Sequence, residues 1–310
     1  MGATLLEGHP VVEDIERWCL RKRRGELEAV LAVLFFNTDA AAEHYVRIKA
    51  HVAARVSDGM DGWEREAQQP RFADEMSQAG VGYWVYEMSP EASTAEVVAQ
   101  IEELNRDARV HGVLVQRPLP RHLDELKTMA SVSPAKHIEE YCEGRASNVA
   151  ADALGRLLSK HGRHRRALCR SAIHIVGFGN VVTDGFVSHM RRCYPRVSYS
   201  PGLPEAGGAA QRDASQEVLI TELHRGPGYV KPRMIRPEVG VVVDLGFYAS
   251  EKGFIVGDLD RAVLERDGLA VAPTPGGMLP ILLWVMMERT IRAAERLSSR
   301  TRGQLGCLCQ

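Results

Sequence analysis

Short, unbroken apolar segments alternate with longer amphipathic segments through the first half of the chain. A charge-rich stretch with helical spacing, 13–27, precedes Ala29–Phe36 (AVLAVLFF), whose length and apolar character predict a buried strand. The pattern then predicts a helix, a strand, a helix and a strand, over 40–56, 82–86, 94–107 and 111–116. Because helices that alternate with buried strands are typical of a mostly parallel sheet, the pattern predicts an α/β fold.

A second series of elements follows a basic, glycine-containing connector at 159–170. It consists of a strand, a glycine turn and a helix, and then further strands, over 172–176, 177–185, 186–192, 196–200, 217–221 and 239–245. This order is typical of a doubly wound nucleotide-binding domain. A last amphipathic helix is predicted over 280–297. The chain is therefore expected to form two domains that meet near the connector.

Composition narrows the classes of protein to which the chain can belong. Its 310 residues are 45% hydrophobic and 25% charged, which suits two globular domains and is too apolar for disorder. Because 39 basic residues face 40 acidic ones, nucleic acid and anionic membranes are poor candidate partners. The longest strongly apolar run, 278–287, is too short for a membrane helix and contains a proline.

The amino terminus and the cysteines predict a cellular location and a redox state. Acidic residues interrupt the first 16 positions, so the features of a signal peptide are missing. The six cysteines show neither a CxxC pair nor a matched histidine spacing, which argues against a zinc site and a disulfide framework. We expect a cytoplasmic protein with reduced thiols and no bound metal.

The glycine turn at 176–185 (VGFGNVVTDG) is the first candidate ligand site. Where a strand meets a helix, backbone N–H groups and the helix dipole can hold a pyrophosphate. The third glycine of a full GxGxxG is Val182 here, so a packing turn is the alternative interpretation. The strand and helix context favours a dinucleotide.

Three further segments carry candidate chemistry. Lys49 follows Tyr45 by one helical turn; it is either a solvated lysine or a partly desolvated amine that exchanges protons near neutrality. Gln116 ends a strand before a proline turn, where ligands collect in open α/β sheets, although such a side chain can also satisfy loop backbone groups. The segment 274–280 has two glycines that can approach a ligand closely, or it is a loop that enters the last helix.

In this order, the segments resemble the family of methylenetetrahydrofolate dehydrogenase/methenyltetrahydrofolate cyclohydrolase. The predicted helix 40–56 resembles the family's helix with the YxxxK pair, and 111–120 (HGVLVQRPLP) resembles its HGxLVQLPLP signature. Four later segments resemble the VGRSxxVG, VIDxG, GDV and TPVPGGVGPMT motifs, at 175–184, 241–246, 257–259 and 273–283. The resemblance spans about residues 29 to 297.

The resemblance implies an activity and a set of site residues. Lys49 would be the general acid/base in hydrolysis of the methenyl bridge, with Gln116 orienting it and Tyr45 packing on the folate. Substrate contacts would also come from Glu139, Pro275, Gly276 and Gly277. The NADP or NAD that oxidises methylenetetrahydrofolate would lie on Gly177, Phe178, Gly179, Asn180, Val181, Thr183, Ser200, Gly246 and Phe247.

The resemblance also implies a homodimer and a domain plan. Residues 1–150 and 280–310 would form the catalytic, folate-binding domain, with the last helix returning to it, and 151–279 would form a Rossmann-like NAD(P)-binding domain. The ligands would be tetrahydrofolate one-carbon derivatives and a dinucleotide, with no nucleic acid and no membrane.

Several departures from the family's motifs keep alternatives open. The KDVDG segment reads KHIEE at 136–140, so Glu139 is a longer substitute for the family's carboxylate, and the space after it fits only one of the next two motifs. We align 154–162 with the helix that follows. At the cofactor turn Phe178 and Gly179 replace arginine and serine, and Thr183 replaces glycine, which leaves the choice between NADP and NAD open. The alternatives are an enzyme with a single activity or a specialised folate substrate, and a non-catalytic folate- or nucleotide-binding relative.

Overall fold

The computed structural model describes residues 2–23, 28–36, 81–142, 145–162, 168–203, 217–249 and 255–307. The strands are β1 (Thr4–Leu5), β2 (Ala29–Phe36), β3 (Val81–Met88), β4 (Gly112–Val115), β5 (Tyr141–Cys142), β6 (Arg145–Ala146), β7 (Ile173–Gly177), β8 (Val197–Ser200), β9 (Glu217–Glu222), β10 (Val239–Asp244), β11 (Tyr248–Ala249), β12 (Ile255–Val256) and β13 (Ala270–Ala272). The α-helices are α1 (His9–Arg23), α2 (Thr94–Arg106), α3 (Glu125–Ala130), α4 (Val149–Lys160), α5 (Asp184–Cys193) and α6 (Met278–Cys307).

The chain divides into two compact units. Residues 14–149 with 283–310 form one, here named the three-stranded unit after its main sheet, and residues 1–13 with 150–282 form the six-stranded unit. These units differ from the predicted domain bounds, which place residues 1–13 with the catalytic domain. Thr4 and Leu5 pair in parallel with Ala270 and Val271 of β13, which ties the amino terminus to the six-stranded sheet.

The main sheet of the three-stranded unit is parallel, in the order β3-β2-β4. Its central strand β2 is almost fully buried, as expected for a parallel strand covered on both faces. Helix α2 buries Val97, Ile101 and Leu104, which recur at three- and four-residue spacing and pack into the same core. A capping box between Ser93 and Glu96 begins this helix by satisfying free backbone N–H groups.

The sheet of the six-stranded unit has the order β1-β13-β10-β9-β7-β8, and its strand pairs are all parallel. Strands β9 and β10 are buried along their whole length, which explains their nearly continuous apolar sequences. Strand β8 lies on one side of β7 and β9 on the other, so the strand order reverses between β7 and β9. In doubly wound sheets this switch point, at the carboxyl ends of the strands, is where ligands bind.

The mixed α/β class and the presence of two domains are confirmed, and the element bounds shift by a few residues. Helix α4 begins at Val149, earlier than the predicted 154, and α6 runs from Met278 to Cys307 where the sequence predicted 280–297. The predicted helix 40–56 lies outside the described residues. None of the helices in the described ranges combines the length and the apolar character needed to cross a bilayer.

Candidate functional site

Gln116 lies at the carboxyl end of β4 in the three-stranded unit. Its backbone N–H donates to Leu34 O at 2.8 Å, which continues the pairing of β4 with β2. The side chain is buried and its Nε2 donates to Arg117 O at 2.5 Å, before a cis peptide bond between Arg117 and Pro118. Tyr45 and Lys49 lie outside the described residues, so their pairing with Gln116 stays a prediction.

Glu139, the predicted substrate carboxylate, lies opposite Arg117. Arg117 Nη1 is 3.3 Å from one oxygen of Glu139, and each of the two side chains is only 11% exposed. Arg117 Nε also donates to Glu125 at 2.8 Å. Burial, and then the nearby charge of Glu139, raise the pKa of Glu140, whose carboxylate accepts a hydrogen bond from Asn148. The arginine thus neutralises part of an acidic, largely buried cluster.

The segment that carries Glu139 is fixed by Arg289 of α6. Arg289 Nη1 donates to the carbonyl oxygens of Ile138 at 3.0 Å and Ser147 at 2.7 Å, and Nη2 donates to Ser147 Oγ at 3.1 Å. The antiparallel pair of β5 and β6 and the bond from Val149 N to Glu139 O at 2.7 Å connect the segment to α4. The sequence leaves room after Glu139 for only one of the next two family motifs, and this antiparallel strand pair lies there.

In the six-stranded unit, the predicted cofactor turn follows β7. Gly177 has a φ of +100°, and a Cβ added there would lie 1.9 Å from Glu222 O, so this position requires glycine. Thr183 is the N-cap of α5, because its Oγ1 accepts a hydrogen bond from Phe186 N at 3.2 Å. Phe178, in contrast, is 47% exposed. The turn therefore has the backbone shape expected of a phosphate-binding loop.

Glu222, the last residue of β9, occupies the N–H groups of this turn. Its Oε1 accepts from Asn180 N at 2.8 Å, and its Oε2 accepts from Val181 N at 3.1 Å and Val182 N at 2.6 Å. The side chain is 1% exposed, and burial raises its pKa to about 7, although the three amides favour the charged form. The sequence predictions did not include this residue.

Two more buried carboxylates hold the loops that follow β9, β10 and β12. Asp244 accepts from the backbone N–H groups of Gly246 and Asp258 at 2.9 Å, and burial, opposed by these bonds, raises its pKa to about 7. Asp258 accepts from Leu223 N at 2.9 Å and from the Tyr248 hydroxyl at 2.7 Å. No His, Cys, Asp and Glu side chains among the described residues form a group of three or more that could hold a metal ion.

The remaining predicted contacts of the six-stranded unit also have partners within it. Ser200 Oγ donates to Gly202 O at 2.6 Å, and Phe247 is buried. Pro275 follows a cis peptide bond, Gly276 O accepts from Gly8 N at 2.8 Å, and Gly277 N donates to Pro273 O at 2.8 Å. These residues are ordered by the chain itself, and their contacts with substrate or cofactor stay predictions.

The fold of the six-stranded unit suits a dinucleotide, but the contact of Glu222 with the turn amides conflicts with one. The switch point and the strand–turn–helix connection at Gly177 are the features that such a ligand uses. The N–H groups of residues 180–182 do not fit a phosphate while Glu222 lies on them, because a second anion would meet a carboxylate at the same donors.

Sequence reasoning missed Arg117, Glu222 and Arg289. Arg117 and Glu222 share one signal that was available: each is a charged residue at the carboxyl end of a buried parallel strand. Arg289 offered no comparable signal, since its partners are backbone carbonyls that only the fold brings to it.

Two family models match the chain. Residues 71–139 match the model of the tetrahydrofolate dehydrogenase/cyclohydrolase catalytic domain, and residues 153–298 match that of the NAD(P)-binding domain of the same family. The two matches together cover more than half of the chain. The bifunctional protein FolD of Cupriavidus taiwanensis is 27% identical over 308 residues, which are 96% of this chain and 99% of that protein. The bifunctional protein FolD of Bordetella avium is 29% identical over 274 residues, 86% of this chain and 87% of that protein.

Solved structures show the same fold. The bifunctional FolD methylenetetrahydrofolate dehydrogenase/cyclohydrolase of Campylobacter jejuni superposes with a TM-score of 0.70 at 22% identity, over 95% of this chain and 99% of that one. FolD of Trypanosoma brucei, complexed with NADP and an inhibitor, gives a TM-score of 0.71 at 17% identity, over 96% and 98% of the two chains. With both family domains present in order, the chain belongs to the tetrahydrofolate dehydrogenase/cyclohydrolase family.

Proposed function

We propose that the chain is an enzyme of folate one-carbon metabolism that hydrolyses methenyltetrahydrofolate to formyltetrahydrofolate and oxidises methylenetetrahydrofolate with NAD or NADP. The observation that carries the hydrolytic half is the position of Gln116, which is buried at the carboxyl end of β4, directly before the cis Arg117–Pro118 bond. A carboxamide held there can orient an amine without adding a charge. The full-length similarity to bifunctional FolD proteins supports the same activity.

Hydrolysis needs one group that moves protons. In the proposed mechanism, water adds to the methenyl carbon and Lys49 accepts a proton from it as the new C–O bond forms. One of the two C–N bonds of the bridge then breaks, and the released nitrogen takes up the remaining hydroxyl proton through Lys49. One proton leaves to solvent, because the methenyl bridge begins with a positive charge and the formyl product is neutral at that carbon. Gln116 acts here as the positioning residue for Lys49.

Substrate positioning is assigned to Tyr45, Glu139 and the segment from Pro275 to Gly277. Tyr45 would pack on the folate rings, and Glu139 would accept hydrogen bonds from the donor edge of the pterin. Because Arg117 already contacts Glu139, the side chain of Glu139 is oriented before substrate binds. The dinucleotide is assigned to the six-stranded unit, with the preference between NAD and NADP left open.

Two assays test this proposal. Decay of methenyltetrahydrofolate absorbance measures hydrolysis, and reduction of nicotinamide in the presence of methylenetetrahydrofolate measures oxidation. Lys49→Ala should lower the hydrolytic rate by about 10²- to 10⁴-fold, the usual contribution of general acid–base catalysis, and should leave dinucleotide binding unchanged. Lys127→Ala, at an exposed lysine of α3, is the matched control and should retain activity. Equal loss of hydrolysis and dinucleotide binding would instead identify Lys49 as a structural residue.

A specific observation favours a second candidate, an enzyme that retains only the hydrolytic activity. Glu222 lies on the turn amides of the six-stranded unit, so the conflict with a phosphate concerns the oxidative half of the reaction and not the residues proposed for hydrolysis. Hydrolysis without any nicotinamide reduction would select this candidate. Absence of both activities in folded protein would contradict both and would favour a non-catalytic binding relative.

The assembly and the location of the protein complete the proposal. We propose a homodimer in the cytoplasm, on the basis of the family resemblance. Sedimentation equilibrium of the full chain tests the dimer, and a single species at the monomer mass would contradict it.

A further inference from the structure

Glu222 stands at the point where a doubly wound sheet receives its ligand. It ends β9, the strand beside β7 on the other side from β8, so its carboxylate lies at the switch point of the sheet. Phe178 N donates to Glu222 O at 3.0 Å, which brings the turn and the end of β9 together. The carboxylate therefore faces the N–H groups that begin the turn into α5.

The geometry of the contact is that of an anion in a backbone amide site. Three successive N–H groups, of Asn180, Val181 and Val182, donate to the two oxygens at 2.6 to 3.1 Å. Val181 N–H is shared between both oxygens, at 3.1 and 3.3 Å, so a phosphate at these donors would lie directly against the Glu222 carboxylate. A dinucleotide phosphate offers the same chemistry as the carboxylate and requires the same kind of donor.

A comparison with Glu217, at the other end of β9, shows that Glu222 is satisfied in an unusual way. Glu217 is also buried, but it pairs with Arg236 at 2.7 Å, so that a cation neutralises its charge. Around Glu222, the Nε2 of His224 is 3.9 Å from Oε1, and the charge of Asp258 opposes ionisation. The turn amides are therefore the main groups that stabilise the Glu222 carboxylate.

We propose that Glu222 is a specificity-determining residue of the six-stranded unit. Its carboxylate occupies the turn amides in place of a phosphate of NAD or NADP. The inference rests on the proposed function in that a dinucleotide is taken as the ligand of this unit. Binding of that phosphate requires the Glu222 side chain to leave the turn. The wild-type chain accordingly binds dinucleotides more weakly than the turn alone would allow.

The test measures binding by isothermal titration calorimetry with the full-length protein. The ligands are NAD, NADP and inorganic pyrophosphate, and the variants are Glu222→Ala and Glu222→Gln, with Glu217→Gln as the matched control on the same strand. Glu222→Ala should bind pyrophosphate and the preferred dinucleotide at least about tenfold more tightly than wild type, because three N–H groups become available to donate to the ligand phosphate. Glu217→Gln should leave the affinities unchanged.

The outcomes separate this inference from the proposed function. Tighter binding of pyrophosphate without any dinucleotide binding would support the role of Glu222 and contradict NAD(P) as the ligand. Unchanged or weaker binding of both ligands by Glu222→Ala would overturn the inference and indicate that the carboxylate shapes the turn beneath a ligand. If Glu222→Ala fails to fold by circular dichroism, Glu222→Gln decides the question. This neutral side chain of equal length should still raise the affinity several-fold, and an unchanged affinity would overturn the inference.

Discussion

Arg117 is the residue whose removal should most disturb the three-stranded unit. Its guanidinium joins the nearly buried carboxylate of Glu139, at 3.3 Å, to the half-exposed carboxylate of Glu125, at 2.8 Å. The substitution Arg117→Met keeps most of the volume of the side chain and removes its charge. Glu139 then stays buried without its cation, next to Glu140, whose pKa is already raised by burial and by the charge of Glu139.

The expected destabilisation follows from this burial. Removing one partner of a buried ion pair costs about 3–5 kcal/mol, mostly because the remaining charge is left uncompensated in a site of low polarity. Since each side chain of the pair keeps 11% of its exposure, we expect the lower end, about 3 kcal/mol. Arg117→Met/Glu139→Gln removes both charges and should recover at least about half of this loss.

Tryptophan fluorescence isolates the relevant unit. The four tryptophans of the chain, Trp18, Trp63, Trp84 and Trp284, all fall within 14–149 and 283–310, so urea unfolding followed by their emission reports on this unit alone. The matched control is Arg106→Met, which breaks the exposed pair of Arg106 and Glu102 and should cost less than about 1 kcal/mol. The buried ion pair is not what stabilises this unit if Arg117→Met costs no more than this control, or if the double variant is as unstable as Arg117→Met.

The six-stranded unit provides two further predictions. Burial raises the pKa values of Glu222 and Asp244 to about 7, from usual values of 4.5 and 3.8, so the folded state binds more protons than the unfolded state between about pH 4 and 7. The free energy of unfolding should therefore fall as the pH rises through this window, by up to about 3 kcal/mol for Glu222. Urea unfolding monitored by far-UV circular dichroism measures this fall. An equally steep fall in Glu222→Gln would contradict the assignment of the pH dependence to Glu222. Gly177→Ala should destabilise the unit by at least about 2 kcal/mol, because of its positive φ and the backbone oxygen of Glu222; hydrogen exchange of β7 and β9 as slow as in wild type would disprove this.

The helices and strands were predictable because buried segments have a recognisable pattern of apolar residues. The run AVLAVLFF of β2 and the apolar spacing of α2 identify a strand and a helix without any knowledge of their partners. Strand β1 has no such pattern, because its two residues, Thr4 and Leu5, are too few to show a periodicity. They pair with β13, which lies far along the chain. For this reason the predicted bounds place the first 13 residues with the other unit.

The candidate site was predictable in position and much less so in its contacts. The strand-ending place of Gln116 and the glycine turn after β7 follow from local sequence. The partners of Glu139 and Glu222 do not, because Arg117 is 22 positions from Glu139 and the turn amides are about 40 from Glu222. Backbone donors carry no sequence signature, so a carboxylate that binds them is visible only in the fold.

Glu139 and Glu222 have a common physical consequence for ligand binding. In each unit a carboxylate at the end of a parallel sheet is already satisfied by groups of the chain, Arg117 in one case and turn amides in the other. A ligand that reaches either site exchanges existing hydrogen bonds for new ones, so its affinity is the difference between two similar sets of contacts. For Glu139 this exchange keeps the charge in place, because the cation can remain while the pterin donates to the free lone pairs of the carboxylate. For Glu222 the ligand phosphate and the carboxylate need the same donors, so one must leave. The folate half of the reaction is therefore compatible with the observed contacts, whereas the dinucleotide half requires the Glu222 side chain to leave the turn amides.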